Sequence, residues 1–158
     1  VSTITAVGLN VLAEGNAKKA NKTMYSKISE LRTTTMSKSG EWYMVISCQD
    51  NTYKLETHHV ANGEDNIKDT SKFSASRISL NYYNGVSSTG YDLKNNSLKI
   101  QFNRNDGSCK SVTINDTEKF ITDNLDAPQF GKIVASVSKN NTYESKLWYK
   151  TGRVTTQN

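Results

Sequence analysis

The sequence predicts an α+β fold, in which one long N-terminal helix packs on antiparallel β-sheet, and three observations support this class. Apolar residues recur at helical spacing up to Ser39-Gly40 and alternate at strand spacing after it. Turn signals then separate short strand-like segments, and the clearest is Arg104-Asn105-Asp106-Gly107. No linker or repeat divides the 158 residues. We therefore expect one domain over 1–158, with a helix at 1–39 and a β-rich head at 40–158.

The predicted helix has one apolar stripe, and its basic residues lie mainly off that stripe. Gly15 weakens the start of the helix by up to ~1 kcal/mol relative to alanine, and Gly40 supplies a C-terminal stop. A helix of this kind is marginal alone in water, so we expect its stripe to lie on the sheet. The stripe consists of Ala13, Ala17, Ala20, Met24, Ile28, Leu31 and Thr35.

The predicted strands begin with Glu41–Gln49, where side chains alternate strictly, and Asp50-Asn51 forms a candidate two-residue turn. Residues 61–72 are predicted to form a loop, and residues 116–130 to be irregular. The layout predicts six to eight antiparallel strands. The other predicted strands are Thr52–His59, Phe73–Tyr82, Ser97–Asn103, Lys110–Asn115, Gly131–Ser138 and Tyr143–Tyr149.

The charge is basic overall and unevenly distributed. Lysine and arginine number 20 against 15 acidic residues, which gives a net charge of +5. The helix and the C-terminal strands carry the excess, while the middle of the chain is acidic. A basic protein can contact nucleic acid or an anionic surface. However, lysine far outnumbers arginine here, whereas nucleic-acid sites favour the bidentate fork of arginine. This balance therefore favours a solvated lysine-rich surface.

Residues suited to catalysis or metal binding are sparse. The only histidines, His58 and His59, are neighbours in a predicted strand and so point to opposite faces. No nucleophile, phosphate-loop or zinc pattern occurs. We therefore expect a non-enzymatic protein with no catalytic residue, no cofactor and no metal site.

The two cysteines, Cys48 and Cys109, leave two alternatives open. In an extracytoplasmic protein they form a disulfide, which would stabilise the fold by ~4 kcal/mol in the chain-entropy model. Otherwise they are two buried free thiols. The sequence does not fix the distance between their Cβ atoms, so it does not choose between these alternatives.

Three stretches of the chain resemble the type IV pilin superfamily, most closely its H-type pseudopilins and related minor pilins. Ala20–Glu41 is similar to the end of the family's helix, with Arg32 matching its arginine. Leu98–Gly107 is similar to an aromatic-then-glycine hairpin, and Leu147–Val154 to a closing strand that ends in Gly-Arg-Val. The family's long apolar half-helix with an early glutamate has no counterpart here. The resemblance implies that this chain is the soluble head with the second half of the helix.

The resemblance also implies a function by assembly, without catalysis. The expected role is a structural subunit, minor pilin or pseudopilin, of a type IV pilus or a type II secretion pseudopilus. Its partners would be other pilin subunits, and the missing N-terminal helix would anchor it in the cytoplasmic membrane before assembly into a cell-surface filament. The tail residues Lys150, Gly152 and Arg153 are candidate contacts for assembly or DNA.

Two other functions remain open. DNA-capturing minor pilins of competence systems resemble the tail but typically carry Gly-Arg-x-Arg, and the second arginine is absent from Gly152-Arg153-Val154-Thr155. An unrelated extracellular binding or adhesion domain is the other alternative, because exposed aromatic residues can form a stacking surface. The candidate residues for that surface are Trp42, Trp148, Tyr82 and Tyr83.

Overall fold

The computed structural model describes the backbone of residues 2–157 and the side chains of residues 11–157. One helix is followed by eleven antiparallel strands. The helix α1 spans Ser2–Ser37. The strands are β1 (Glu41–Gln49), β2 (Thr52–Ala61), β3 (Glu64–Ser74), β4 (Ser79–Asn84), β5 (Tyr91–Asp92), β6 (Leu98–Phe102), β7 (Cys109–Ile114), β8 (Glu118–Lys119), β9 (Phe130–Ser138), β10 (Asn141–Trp148) and β11 (Val154–Gln157).

The strands form two sheets. The six-stranded sheet has the order β3-β2-β1-β6-β7-β8, and the five-stranded sheet has the order β11-β10-β9-β4-β5. Residues of both sheets belong to one buried cluster, and two side-chain hydrogen bonds link described strand residues across it. The Leu80 amide of β4 donates to the Tyr53 hydroxyl of β2 at 3.1 Å, and the Tyr91 hydroxyl of β5 donates to Glu118 of β8. The apolar core therefore lies between the sheets.

The helix completes this core by packing on strands of both sheets. Its predicted apolar stripe is confirmed, because all seven residues from Ala13 to Thr35 are buried. A buried polar contact fixes the helix on β10, where the Ser145 hydroxyl donates to the side-chain oxygen of Asn21 at 2.7 Å. Within the described residues, no helix has the length and apolar character that crossing a membrane requires.

The first strands match the sequence pattern closely. Along β1 the side chains of Trp42, Met44 and Ile46 are buried and their neighbours are partly exposed. Asp50 and Asn51 both have positive φ, 50° and 54°, which is the geometry of a type I′ hairpin turn. The predicted first hairpin is therefore confirmed.

The predicted α+β, pilin-like class is wrong, because the protein is mainly β. Strands make up 49% of residues 11–157, against 18% for the helix at residues 11–37. Four strands, β3, β5, β8 and β11, lie wholly or mainly outside the predicted strands. The longest is β3, whose side chains are largely exposed on both faces, so it has no apolar alternation for a sequence to display. The fold is one helix packed on two antiparallel sheets.

Candidate functional site: the helix–tail junction and the outer aromatic face

The three stretches that carried the family resemblance meet at one point, the helix–tail junction, formed by Arg32, Gly107, Thr151 and Gly152. Arg32, near the end of α1, donates from Nε to the carbonyl oxygen of Gly107 at 3.0 Å. The same Nε donates to the carbonyl oxygen of Thr151 at 3.0 Å. One guanidinium therefore connects the helix, the β6–β7 hairpin and the C-terminal tail.

Close backbone approach defines this junction. Gly152 is buried with φ of 64°, and a Cβ added there would lie 1.9 Å from the carbonyl oxygen of Gly107. Gly107 has φ of 71°, and its added Cβ would lie 2.6 Å from Met36 Sδ. No side chain other than hydrogen fits at Gly152 without moving the backbone. Among the three predicted tail contacts, Gly152 is therefore internal, while Lys150 and Arg153 are exposed.

Arg153 belongs to a second feature, the outer aromatic face, on the side of the five-stranded sheet that points away from the core. Register places Tyr83 of β4, Lys132 of β9 and Lys146 of β10 in one row across the sheet. In the adjacent row Phe130 pairs with Trp148, and the Trp148 amide donates to the carbonyl of Arg153 at 2.9 Å. We define the outer aromatic face as Tyr83, Phe130, Lys132, Lys146, Trp148 and Arg153.

The rings and ammonium groups of this face are in contact. Phe130 and Trp148 have ring centroids 5.2 Å apart and are tilted by 50°. Lys146 Nζ lies 4.6 Å from the centroid of Phe130 and 5.4 Å from that of Trp148. Lys132 Nζ lies 5.5 Å from the ring of Tyr83. The face thus combines cationic groups with aromatic surface, and 38% of Trp148 remains exposed.

The charges of this face are unbalanced. Lys132 and Lys146 are direct cross-strand partners, and like charges in that position destabilise a sheet. The charge of Lys132 is balanced by Glu144, because Glu144 Oε1 lies 3.3 Å from Lys132 Nζ. Lys146 makes no ion pair with any residue whose side chain the structure describes. The face can therefore accept an anion beside aromatic rings.

The aromatic surface suggested by the sequence is only partly formed. Trp42 and Tyr82 are buried, and Trp42 stacks on His59 with centroids 4.2 Å apart. Tyr83 and Trp148 do lie on the outer aromatic face. Sequence reasoning missed Phe130, because it ends the segment predicted to be irregular. The sequence does contain one indication of its place: Phe130 lies two residues before Lys132, so in a strand the two side chains point to the same face.

The structure contains Cys48 and Cys109 as unbonded thiols. Cys109 pairs with Phe102 of β6, whereas Cys48 lies two residues beyond the Ile46–Leu98 pair at the other end of the sheet. Their offset is about 20 Å at ~3.3 Å per residue, far beyond disulfide geometry. Burial raises the pKa of Cys109 to about 12. The structure therefore corresponds to the free-thiol alternative.

The titratable groups elsewhere include one exposed network around Asp65. The Tyr43 hydroxyl donates to Asp65, and His58 Nδ1 lies 3.1 Å from the same carboxylate. Chiefly through the Tyr43 bond, this network lowers the pKa of Asp65, while desolvation is the main cause that raises the pKa of Tyr43 to about 12. His59 points away from the network toward Trp42. Among the residues searched, no three His, Cys, Asp or Glu side chains are grouped to hold a metal ion.

Comparisons with protein-family models, with curated proteins and with solved structures gave no match. A function for this chain must therefore be argued from its own residues and their geometry.

Proposed function

We propose that this protein is a structural subunit, a minor pilin or pseudopilin, of a type IV pilus or type II secretion pseudopilus, and that it acts by filament assembly. Its partners are other subunits of the filament, and its place of action is the cell surface after a stage in the cytoplasmic membrane. The proposal rests on the three resembling stretches and on the arrangement of helix and head. It does not rest on the α+β class, which was wrong.

One observation carries the proposal: the helix carries an exposed apolar pair, Val11 and Leu12, beside its buried stripe. Side chains on the stripe are buried from Ala13 onward, whereas Val11 and Leu12 are 64% and 65% exposed. Near this point the Tyr143 hydroxyl donates to Glu14 at 3.0 Å. Exposed apolar residues on the uncovered face of a helix are suited to packing against the helices of neighbouring subunits.

The helix–tail junction supports the same proposal. A subunit that transmits load from stem to head needs the two parts to be fixed to each other. Arg32 supplies this connection with two hydrogen bonds across segments far apart in sequence. The buried Asn21–Ser145 contact adds a second fixed point along the helix.

The test is incorporation of the chain into surface filaments of the cell that produces it. Filaments sheared from those cells are purified and probed with an antibody against this chain, beside a cytoplasmic marker. We expect the chain in the filament fraction. We also expect at least a tenfold loss when Val11→Asp and Leu12→Asp are introduced together, because charge on this exposed helix face opposes burial between helices.

A matched control is a second pair of exposed apolar residues on loops of the head. Val86 and Leu125 are 91% and 86% exposed, and Val86→Asp with Leu125→Asp adds the same charge away from the helix. This variant should assemble normally. Absence of the unaltered chain from the filaments would refute the proposed function. Equal loss in both variants would show that Val11 and Leu12 have no special role.

A further inference from the structure

We propose that the outer aromatic face binds an acidic polysaccharide, a linear glycan that carries carboxylates. This site is independent of the proposed filament function, because the face lies on the sheet surface opposite the core-facing side that covers the helix. Four observations carry it: a like-charge pair, an exposed aromatic surface, the position of the ammonium groups over the rings, and the extent of the face.

The like-charge pair indicates a function beyond folding. Lys132 and Lys146 face each other across β9 and β10, where an opposite or neutral partner would stabilise the sheet more. Lys146 contacts aromatic rings and makes no ion pair with a described residue, because Glu144, two residues away on the same strand, pairs with Lys132 instead. A bound anion beside the Lys146 ammonium would supply the counter-charge that Glu144 supplies to Lys132. An unfavourable arrangement that a ligand relieves is typical of binding sites.

The aromatic residues supply the surface for the sugar rings. Trp148 remains 38% exposed although it contacts Phe130. Its indole Nε1 donates to the Thr155 hydroxyl at 3.4 Å, and this bond orients the ring across the strand. Apolar C–H faces of sugars pack on aromatic rings, and the hydroxyl groups around them remain solvated. The combination of ring and cation therefore suits a sugar with a carboxylate.

The position of Lys146 favours a glycan over a single-stranded nucleic acid. A nucleobase binds such a surface by stacking flat on the rings. Here the Lys146 ammonium already covers part of Phe130 and Trp148, so a ligand that keeps this contact meets the ammonium and the exposed remainder of Trp148 side by side. A carboxylate can approach the outer side of that ammonium and leave the cation–ring contacts intact. Lysine, as a compact point charge, also suits an isolated carboxylate better than it suits bidentate recognition.

The extent of the face indicates a polymer. Its residues extend across β4, β9, β10 and the turn into β11, which is roughly 14 Å at ~4.8 Å between strands. Arg153, exposed beside Trp148, adds a third cation at one end. Lys132 is paired with Glu144, whereas Lys146 and Arg153, in neighbouring rows, have no described ion pair and are suited to successive carboxylates along an extended chain.

The experiment measures binding of the full chain to four probes by calorimetry at low salt. The probes are polygalacturonate, poly-L-glutamate with the same number of carboxylates, neutral dextran, and a single-stranded oligonucleotide. We expect polygalacturonate to bind about tenfold more tightly than poly-L-glutamate, and dextran to show no binding. Raised salt should weaken binding. Equal binding of the two polyanions, or tightest binding to the oligonucleotide, would overturn the proposal.

Variants locate the site. Lys146→Gln and Trp148→Ala should each raise the Kd for polygalacturonate by about tenfold. The matched controls Lys22→Gln and Tyr25→Ala remove an exposed cation and a 40% exposed aromatic ring from the helix, and they should leave the Kd unchanged.

Lys146→Gln should not lower the melting temperature, because it removes the like-charge pair. Loss of binding accompanied by a lower melting temperature in Lys146→Gln, or equal loss in the helix controls, would contradict the assigned site. Filament incorporation, measured separately, should be unaffected by Lys146→Gln.

Discussion

Gly152 lies so close to the carbonyl of Gly107 that a single methyl group at this position would require the backbone to move. Both residues come from stretches singled out on the sequence, yet the sequence did not show that they touch. Gly107 could be understood from its neighbours in sequence, because it belongs to the predicted hairpin turn Arg104–Gly107. The role of Gly152 depends on a neighbour far away in the chain, and local propensity contains no information about such a neighbour.

Substitution of this glycine tests the junction. Gly152→Ala should lower the free energy of unfolding by about 3 kcal/mol or more, because a clash is added to the left-handed backbone cost of about 1–2 kcal/mol. Gly63→Ala is the matched control, since Gly63 has φ of 80° with no atom near its added Cβ. Gly63→Ala should lower the free energy of unfolding only by the cost of the left-handed backbone conformation. Urea denaturation of both variants measures the difference, and equal losses would show that the close approach is unimportant.

The aromatic residues show where side-chain reasoning succeeds and where it fails. Alternation in β1 correctly placed Trp42 on one face of its strand, but it could not say that this face is the buried one. Phe130 was missed because the residues before it are polar and contain Pro128. Neighbours across strands, not neighbours in sequence, assemble the outer aromatic face, so it could be recognised only once the register was known.

At the scale of elements, β3 is the clearest departure from expectation. Its charged and polar residues were predicted to form a loop, yet Glu64–Ser74 pairs along the whole length of β2. The segment Phe73–Tyr82, predicted as one strand, is divided between the end of β3 and β4, with Arg77 at φ of 59° between them. An edge strand exposed on both faces lacks the apolar period that identifies strands. By contrast, β1 lies inside its sheet and its pattern was read correctly.

Hydrogen exchange tests this difference between edge and centre. β1 lies between β2 and β6, so its amides at Tyr43–Ile46 should be strongly protected. β3 pairs only with β2, so about every second amide of β3 should exchange orders of magnitude faster. β9, at the centre of the other sheet, is the control for a protected strand. Uniform protection along β3 would contradict its assignment as a free edge and indicate that another chain covers it.

At the scale of the molecule, the helix joins the two sheets into one core. Strands of both sheets contact α1, and residues of both sheets belong to a single cluster of buried residues. The sequence indicated that the stripe would be covered, and this was confirmed. It could not indicate how the strands divide between two sheets, because β4 and β9 pair across a long segment that contains β5 to β8.

The two tryptophans allow the cooperativity of this core to be measured. Trp42 reports on the six-stranded sheet and Trp148 on the five-stranded sheet. In the single-tryptophan variants Trp148→Phe and Trp42→Phe, the fluorescence transition in urea should coincide with the circular-dichroism transition of the same variant. Two separated midpoints within one variant would show that the sheets unfold independently. Each variant serves as its own control, so any loss of stability from removing Trp42 does not affect the comparison.

The contact of Arg32 with Thr151 also sets an order of events during synthesis. The ribosome makes α1 first and β9, β10 and β11 last, so the strands that cover much of the helix do not yet exist when the helix emerges. At ~5–20 residues per second, the apolar stripe stays uncovered for roughly ten seconds. During that interval the uncovered stripe is an exposed apolar surface of the kind that makes folding chains prone to aggregation. The native core can close only after β11 has left the exit tunnel.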